Sequence, residues 1–272
     1  MREINGMQAL YFPRINPVAL QLGAFSIHWY GLMYAFGLFL ANLLGRYRAR
    51  QSHNGWTEQQ VTDLAVYTML AAILGGRLGY VLFYDLSYFM QYPSAVLAIW
   101  EGGMSFHGGL LGVLVGLKLY RYRIQKDWIA LTDFIAPLVP LCLALGRIGN
   151  FINGELWGRV SKVPWAVIFP HAGPYPRHPS QLYECFLEGL CLFLILWIYS
   201  QVAKPKGAVS GMFAALYAIF RFGVEFFREP DAQLGFIAWG WLTMGQLLSL
   251  PLLGIGIILL YRAHRPQATK SV

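Results

Sequence analysis

The stretch Gly146-Arg147-Ile148-Gly149-Asn150-Phe151-Ile152-Asn153-Gly154-Glu155-Leu156-Trp157-Gly158 follows directly on the apolar run Phe134 to Leu145 and then concentrates an arginine, two amides, a glutamate and four glycines. A charge at the end of a hydrocarbon-spanning segment is expensive unless it has a partner or a task. The amides can hold a polar ligand, and glycine lets backbone approach that ligand closely. An apolar helix that delivers such a cluster to a membrane face decides the reading of the whole chain.

Composition agrees. The chain is 57% hydrophobic, 16% aromatic and 12% charged, against about 25% charged in an ordinary soluble domain. Apolar stretches of bilayer-spanning length recur near 26–45, 62–84, 104–121, 132–150, 181–200, 209–227 and 244–261. The expected fold is an all-α polytopic integral membrane protein with about seven transmembrane helices. Gly75-Gly76, the glycines of 108–112 and Gly254 with Gly256 suit close helix packing. Neither an internal repeat nor a pair of inverted halves is evident, which weighs against a transporter.

The basic residues set orientation. Arg46, Arg48 and Arg50 follow the first stretch, Arg121, Arg123 and Lys126 the third, Lys204 and Lys206 the fifth, and Arg262, Arg265 and Lys270 the seventh. The segment between Asp85 and Met104 has no basic residue. Positive-inside placement puts the N-terminus outside and the C-terminus in the cytoplasm. The net charge of +8 is thereby assigned to the membrane and not to a nucleic-acid partner. The domain reading is an interfacial arm over 1–25, helices one to four over 26–150, a small periplasmic cap over 151–180, and helices five to seven with a cytoplasmic tail over 181–272. Pro164, Pro170, Pro174, Pro176 and Pro179 predict an irregular, ordered cap. The first residues lack the pattern of a cleaved signal peptide.

Within the spans remain Arg77, His107, Arg147, Glu188, Arg221 and Glu225, with Glu184 near a boundary. Such residues face a protein interior or a water-filled cavity. Arg221 and Glu225 are spaced for a simple intrahelical ion pair, yet Tyr217 and Arg228 extend the same face, which packing alone does not explain. His107 stands either as a satisfied core residue or as part of a site at the level of Arg147 and Arg221. Ser105 is spaced wrongly for a Ser–His pair. Cys142, Cys185 and Cys191 sit in apolar runs and read as small buried hydrophobes. Zinc-hydrolase, paired-cysteine, Asp-rich, phosphate-loop and intramembrane-protease motifs are missing, so no metal or cofactor is expected. Arginines at one membrane face suit a phosphate head group, which their planar fork holds by two bonds.

These motifs resemble those of the bacterial phosphatidylglycerol–prolipoprotein diacylglyceryl transferase family nearly end to end. Besides the opening stretch, the matches are His28 to Tyr34, Gly75 to Tyr80, Gly102 to Gly109, Arg177 to Glu184 and Glu225 to Asp231. The resemblance implies a multi-pass enzyme of the bacterial cytoplasmic (inner) membrane with its active site toward the periplasm. It implies transfer of the sn-1,2-diacylglyceryl group of phosphatidylglycerol to the lipobox cysteine thiol of a prolipoprotein, releasing glycerol-1-phosphate. A lipid flippase and a non-catalytic lipid-binding scaffold are the competing readings.

On this resemblance, Arg147 and Arg221 grip the phosphate on which charge accumulates as the C–O bond breaks. Asn150 and Asn153 orient the head group, Glu155 orients an arginine or bonds the glycerol hydroxyls, and Gly158 completes the lipid-binding set. Tyr30 and Tyr217 anchor phosphate or glycerol at the interface. Glu225 and Arg228 fix Arg221 from behind, with Arg77 in the same supporting role. The acceptor thiol, with an unperturbed pKa of about 8.5, needs a base or a cationic setting. Either His107 is that base, or the arginines lower the thiol pKa and His107 positions lipid.

Overall fold

In the computed structural model the described residues are 2–4, 7–13, 15–23, 25–51, 55–99, 102–230 and 235–265. Asp231 and Lys270, both used in reading the sequence, lie outside them, as do several positions of the arm over 1–25. Helices carry most of the described chain: α1 (Trp29–Ala49), α2 (Glu58–Phe83), α3 (Leu86–Gln91), α4 (Phe106–Arg123), α5 (Trp128–Ile135), α6 (Val139–Ile152), α7 (Ser180–Tyr199), α8 (Ala208–Val224) and α9 (Met244–His264). Helical structure covers most of each of the seven apolar stretches, the first of which begins in strand at 26–28. By length and apolarity α2, α7 and α9 are able to cross a membrane, and α5 with α6 makes a fourth span if that pair, bent by 52°, is one crossing. Pro137 at the break and Pro140 in the first turn of α6 explain the bend, since neither supplies a backbone donor.

The all-α expectation needs correction at the N-terminus. Strands β1 (Arg2–Ile4) and β2 (Met7–Tyr11) pair antiparallel, and β2 pairs in parallel with β5 (Val167–Ile168). Strands β3 (Val18–Leu22) and β4 (Phe25–His28) form a second small sheet. The arm is therefore tied down, and Phe12 packs its ring against Phe151 and Phe169, each with centroids 5.4 Å away.

The chain divides into two compact units, one of Gln21–Ser26 and Leu38–Leu131 and one of Met1–Leu20, Ile27–Gly37 and Thr132–Val272. In the first, α2 opens with a Thr57–Gln60 capping box and packs on α4. Gly75 and Gly79 face Gly108 and Gly112 so closely that an added methyl would strike backbone. This is how membrane helices associate where water gives no hydrophobic drive. Ser105 caps α4 by accepting from Gly108 N at 3.2 Å.

Arg77 is buried, and its guanidinium donates to five carbonyls: Val96, Ala95, Ala98, Gly102 and Gly103, at 2.5–3.1 Å. It organises the loop between α3 and α4. Replacing Arg77 by Met takes a donor from each of those carbonyls, of which Ala95 O keeps Ala98 N at 3.1 Å, and should destabilise the protein by about 3 kcal/mol. The purified variant is expected to show a lower thermal midpoint and faster hydrogen exchange around residues 95–103. Unchanged exchange there would contradict this role.

In the second unit, Gly189 of α7 lies against Ala144 of α6, and Gly256 of α9 against Gly211 and Ala215 of α8. A methyl added at Gly254 would meet nothing within 4 Å, so of that pair it is Gly256 whose small size the packing requires. Asp133 of α5 caps α8 by accepting from Gly207 N at 2.6 Å and Ser210 N at 2.8 Å. The segment over 153–179 is irregular but cross-tied, with Gly158 paired to Arg228, and Val160 and Val167 to Arg177.

His178 sits in this segment, its Nδ1 3.0 Å from the Tyr183 hydroxyl and its ring edge-on to Phe227. Partial burial holds its pKa below the ordinary value of about 6.5. The folded state thus favours the neutral ring. Its contribution is full above the unfolded pKa and is lost as pH falls toward the lower folded value. The thermal midpoint is expected to drop on acidification from about pH 7 to about pH 5, and His178→Phe to flatten that drop. A variant with the wild-type slope would contradict it.

Candidate active site

The site grows from the C-terminal turn of α6. Arg147 and Asn150 share a helix face, and Arg147 Nη1 donates to Asn150 Oδ1 at 3.4 Å. The chain leaves the helix through Gly154, whose positive φ of 67° permits the turn. That turn returns Glu155, whose Oε1 accepts from Asn150 Nδ2 at 2.9 Å and Asn153 Nδ2 at 3.2 Å. Glu155 therefore orients the two amides; its side-chain bonds go to them and not to an arginine. The start of α7 is stitched to the same turn, with Gln181 Nε2 donating to Glu155 O at 2.6 Å and Ser180 Oγ to Leu156 O at 3.0 Å.

From α7, Glu184 and Glu188 project toward the arginines, and both are fully buried. Residues Cys185–Cys191 are wound as a π-helix, a local form that often marks functional positions. Glu184 Oε2 is shared by Arg147 Nη2 at 2.7 Å and Arg221 Nη1 at 3.0 Å. Glu188 stands behind at 3.7 Å from Arg147 and 3.6 Å from Arg221. Arg221, on α8, also pairs with Glu225, which takes Arg228 at 3.2 Å and the Thr243 hydroxyl at 2.7 Å. Thr243 caps α9 as well, so one residue joins the site to that helix. Gly245 is required beside it, because a side chain there would overlap the Glu225 carboxylate.

Three arginines thus meet three buried glutamates in one connected network. Buried charges are costly unless paired, and Glu184 and Glu225 are both paired and hydrogen-bonded to their arginines. The arginines keep the solvent-facing side, with Arg147 20% and Arg221 14% exposed against 0% for Glu184 and Glu188. Each guanidinium carries five donors in a fixed plane; Arg221 commits Nη1 to Glu184 and Nη2 to Glu225, and Arg147 commits Nη2 to Glu184 and Nη1 to Asn150, which fixes both planes. The result is a fixed pair of partly exposed guanidinium groups beside two oriented amides, whose remaining N–H donors suit a phosphate-sized anion.

The remaining sequence-derived candidates lie on several elements. The Tyr30 ring covers Gly149, and its hydroxyl lies 3.2 Å from that of Tyr34. Tyr217 is one turn before Arg221 and stacks on Phe213. Gly158 is clamped between His178 and Phe227 and donates to His178 O at 2.9 Å, so its small size serves close backbone approach. His107, exposed in the first turn of α4, and Arg77 belong to the other unit. Sequence reading did not place Glu184, Glu188, Gln181 or Thr243 in the site. The four-residue spacing of Glu184 and Glu188 on an apolar helix was the available signal.

A family model described as prolipoprotein diacylglyceryl transferase matches residues 17–262. The phosphatidylglycerol–prolipoprotein diacylglyceryl transferase of Nitratidesulfovibrio vulgaris (strain Miyazaki F) is 57% identical over 93% of this chain and 96% of its own. That of Coxiella burnetii (strain RSA 331) is also 57% identical, over 94% and 98%, and that of Pseudomonas paraeruginosa 53%, over 96% and 98%. A match of this extent, on a helical apolar chain whose signature residues build one charged site, places the protein in the prolipoprotein diacylglyceryl transferase family.

Proposed function

We propose that this chain transfers the sn-1,2-diacylglyceryl group of phosphatidylglycerol to the lipobox cysteine thiol of a prolipoprotein. The reaction forms a thioether and releases glycerol-1-phosphate. Family membership supports the overall transfer. The observation that carries the reading at this site is the Arg147–Glu184–Arg221 bridge.

Sulfur attacks the glyceryl carbon and the carbon–oxygen bond to phosphate breaks, so negative charge grows on the departing phosphate. Guanidinium donors held in place before the reaction stabilise that charge without reorganising. Asn150 and Asn153, oriented by Glu155, offer neutral contacts to the glycerol head group, with Tyr30 and Tyr217 at its edge. Glu225 and Arg228 hold Arg221 in register. His107 serves as the thiol's base, or else the arginines lower the thiol pKa and His107 positions lipid. The helices are taken to cross the bacterial inner membrane seven times, N-terminus outside, with 151–180 capping the site on the periplasmic side. The basic loops support that orientation.

Arg147→Ala and Arg221→Ala should each lower transfer about 10³-fold while leaving membrane insertion intact. Arg221→Lys should fail almost as badly, because a compact ammonium cannot reproduce the planar spread of donors that reaches Glu184 and Glu225 together. The check is thioether formation on a lipobox peptide by each purified variant. Near-normal activity of either alanine variant would sink the phosphate clamp, and full activity of the lysine variant would reduce it to bare charge.

A further inference from the structure

Among the buried carboxylates of the network, Glu188 is held differently from its neighbours. Neither of its oxygens has a donor within 3.5 Å, and its nearest cations are the Arg221 and Arg147 nitrogens, just beyond hydrogen-bond distance at 3.6 and 3.7 Å. Glu184 takes those same two side chains at hydrogen-bond distance. Glu225 takes Arg221, Arg228 and Thr243. A buried carboxylate without hydrogen bonds stays ionised only while cationic charge beside it is uncompensated. The charged and titratable groups around Glu188 are Arg147 from α6, Glu184 on its own helix, and Tyr217 and Arg221 from α8, with Glu225 one turn farther on.

A bound phosphodiester brings one more negative charge to a set in which three arginines already match three glutamates. In a water-poor site that surplus is costly, and the system relieves it by neutralising a carboxylate. Protonating Glu184 or Glu225 sacrifices charge-assisted hydrogen bonds, whereas protonating Glu188 sacrifices none.

We infer that Glu188 takes up one proton when the lipid phosphate binds, making capture of phosphatidylglycerol proton-coupled and leaving the arginine pair charge-matched with and without lipid. The inference rests on the phosphate-binding reading of Arg147 and Arg221. The proton comes from the buffer and converts the Glu188 carboxylate to the acid. No lipid bond breaks in this step, and the proton returns to solvent when the lipid leaves. Glu188 is thus a positioning residue acting through the two arginines.

The test is calorimetric titration of the full-length protein, in an uncharged detergent, with phosphatidylglycerol and no acceptor peptide. Repeating it in buffers of different ionisation enthalpy counts the protons taken up per lipid. Scanned over roughly pH 6 to 9, wild-type uptake should peak near about one proton, and affinity should fall about tenfold per pH unit on the alkaline side. Glu188→Gln mimics the protonated acid. It should bind lipid with no uptake and a flat pH profile, and should exceed the wild type in affinity at the alkaline end. A merely structural role would weaken binding equally at every pH. Lipid binding by the wild type without proton uptake, or full uptake retained in Glu188→Gln, overturns this inference alone. Absence of any lipid binding overturns the arginine reading together with it.

Discussion

One carboxylate oxygen, Oε2 of Glu184, holds Arg147 and Arg221 at 2.7 and 3.0 Å. Three helices of one unit meet at that atom: α6 through Arg147, α7 through Glu184 and α8 through Arg221. Each ion taken out of water costs several kcal/mol, about as much as the pairing returns, so such a bridge is a poor source of stability. Its value lies in geometry. The two guanidinium planes are fixed before any ligand arrives, and the glutamates behind them are deeper than the arginines in front.

The surrounding structure reads as support for that arrangement. Close packing of Gly189 on Ala144 brings α7 near enough to α6 for the bridge to form. The π-helical turn between Glu184 and Glu188 changes the pitch of α7 where both carboxylates are presented. Thr243 caps α9 and bonds Glu225 in one stroke, and the gap at Gly245 makes room for that carboxylate. On the other face, Glu155 collects two amides whose donors would otherwise lack a fixed direction. Preorganised donors of this kind are what a reaction that builds charge on phosphate requires.

Much of this was legible in the residues. Charge and amide groups at the end of an apolar run are anomalous on their face, so Arg147, Asn150, Asn153 and Glu155 announce themselves, as does the Arg221–Glu225–Arg228 stripe. Pairings between distant elements are another matter. Glu184 and Glu188 are visible as acids in an apolar helix, but nothing local says that they face arginines from two other helices. Thr243 is an ordinary N-cap by sequence, and its second bond depends on where α8 ends. Arg77 looked like a supporting member of the site, yet its donors are spent on five backbone carbonyls, which leave no trace in side-chain patterns. The strand pairing of β2 with β5 was hidden because one short, weakly patterned strand finds its partner far along the chain.

The most direct measurement follows glycerol-1-phosphate release by the purified protein reconstituted with phosphatidylglycerol and a lipobox peptide, alongside the same peptide with its cysteine replaced by serine. Release that requires both the lipid and the cysteine, matched by thioether formed on the peptide, is the predicted result. Folded protein that binds lipid and peptide but releases no glycerol-1-phosphate, or releases it equally with the serine peptide, would contradict thiol-directed transfer.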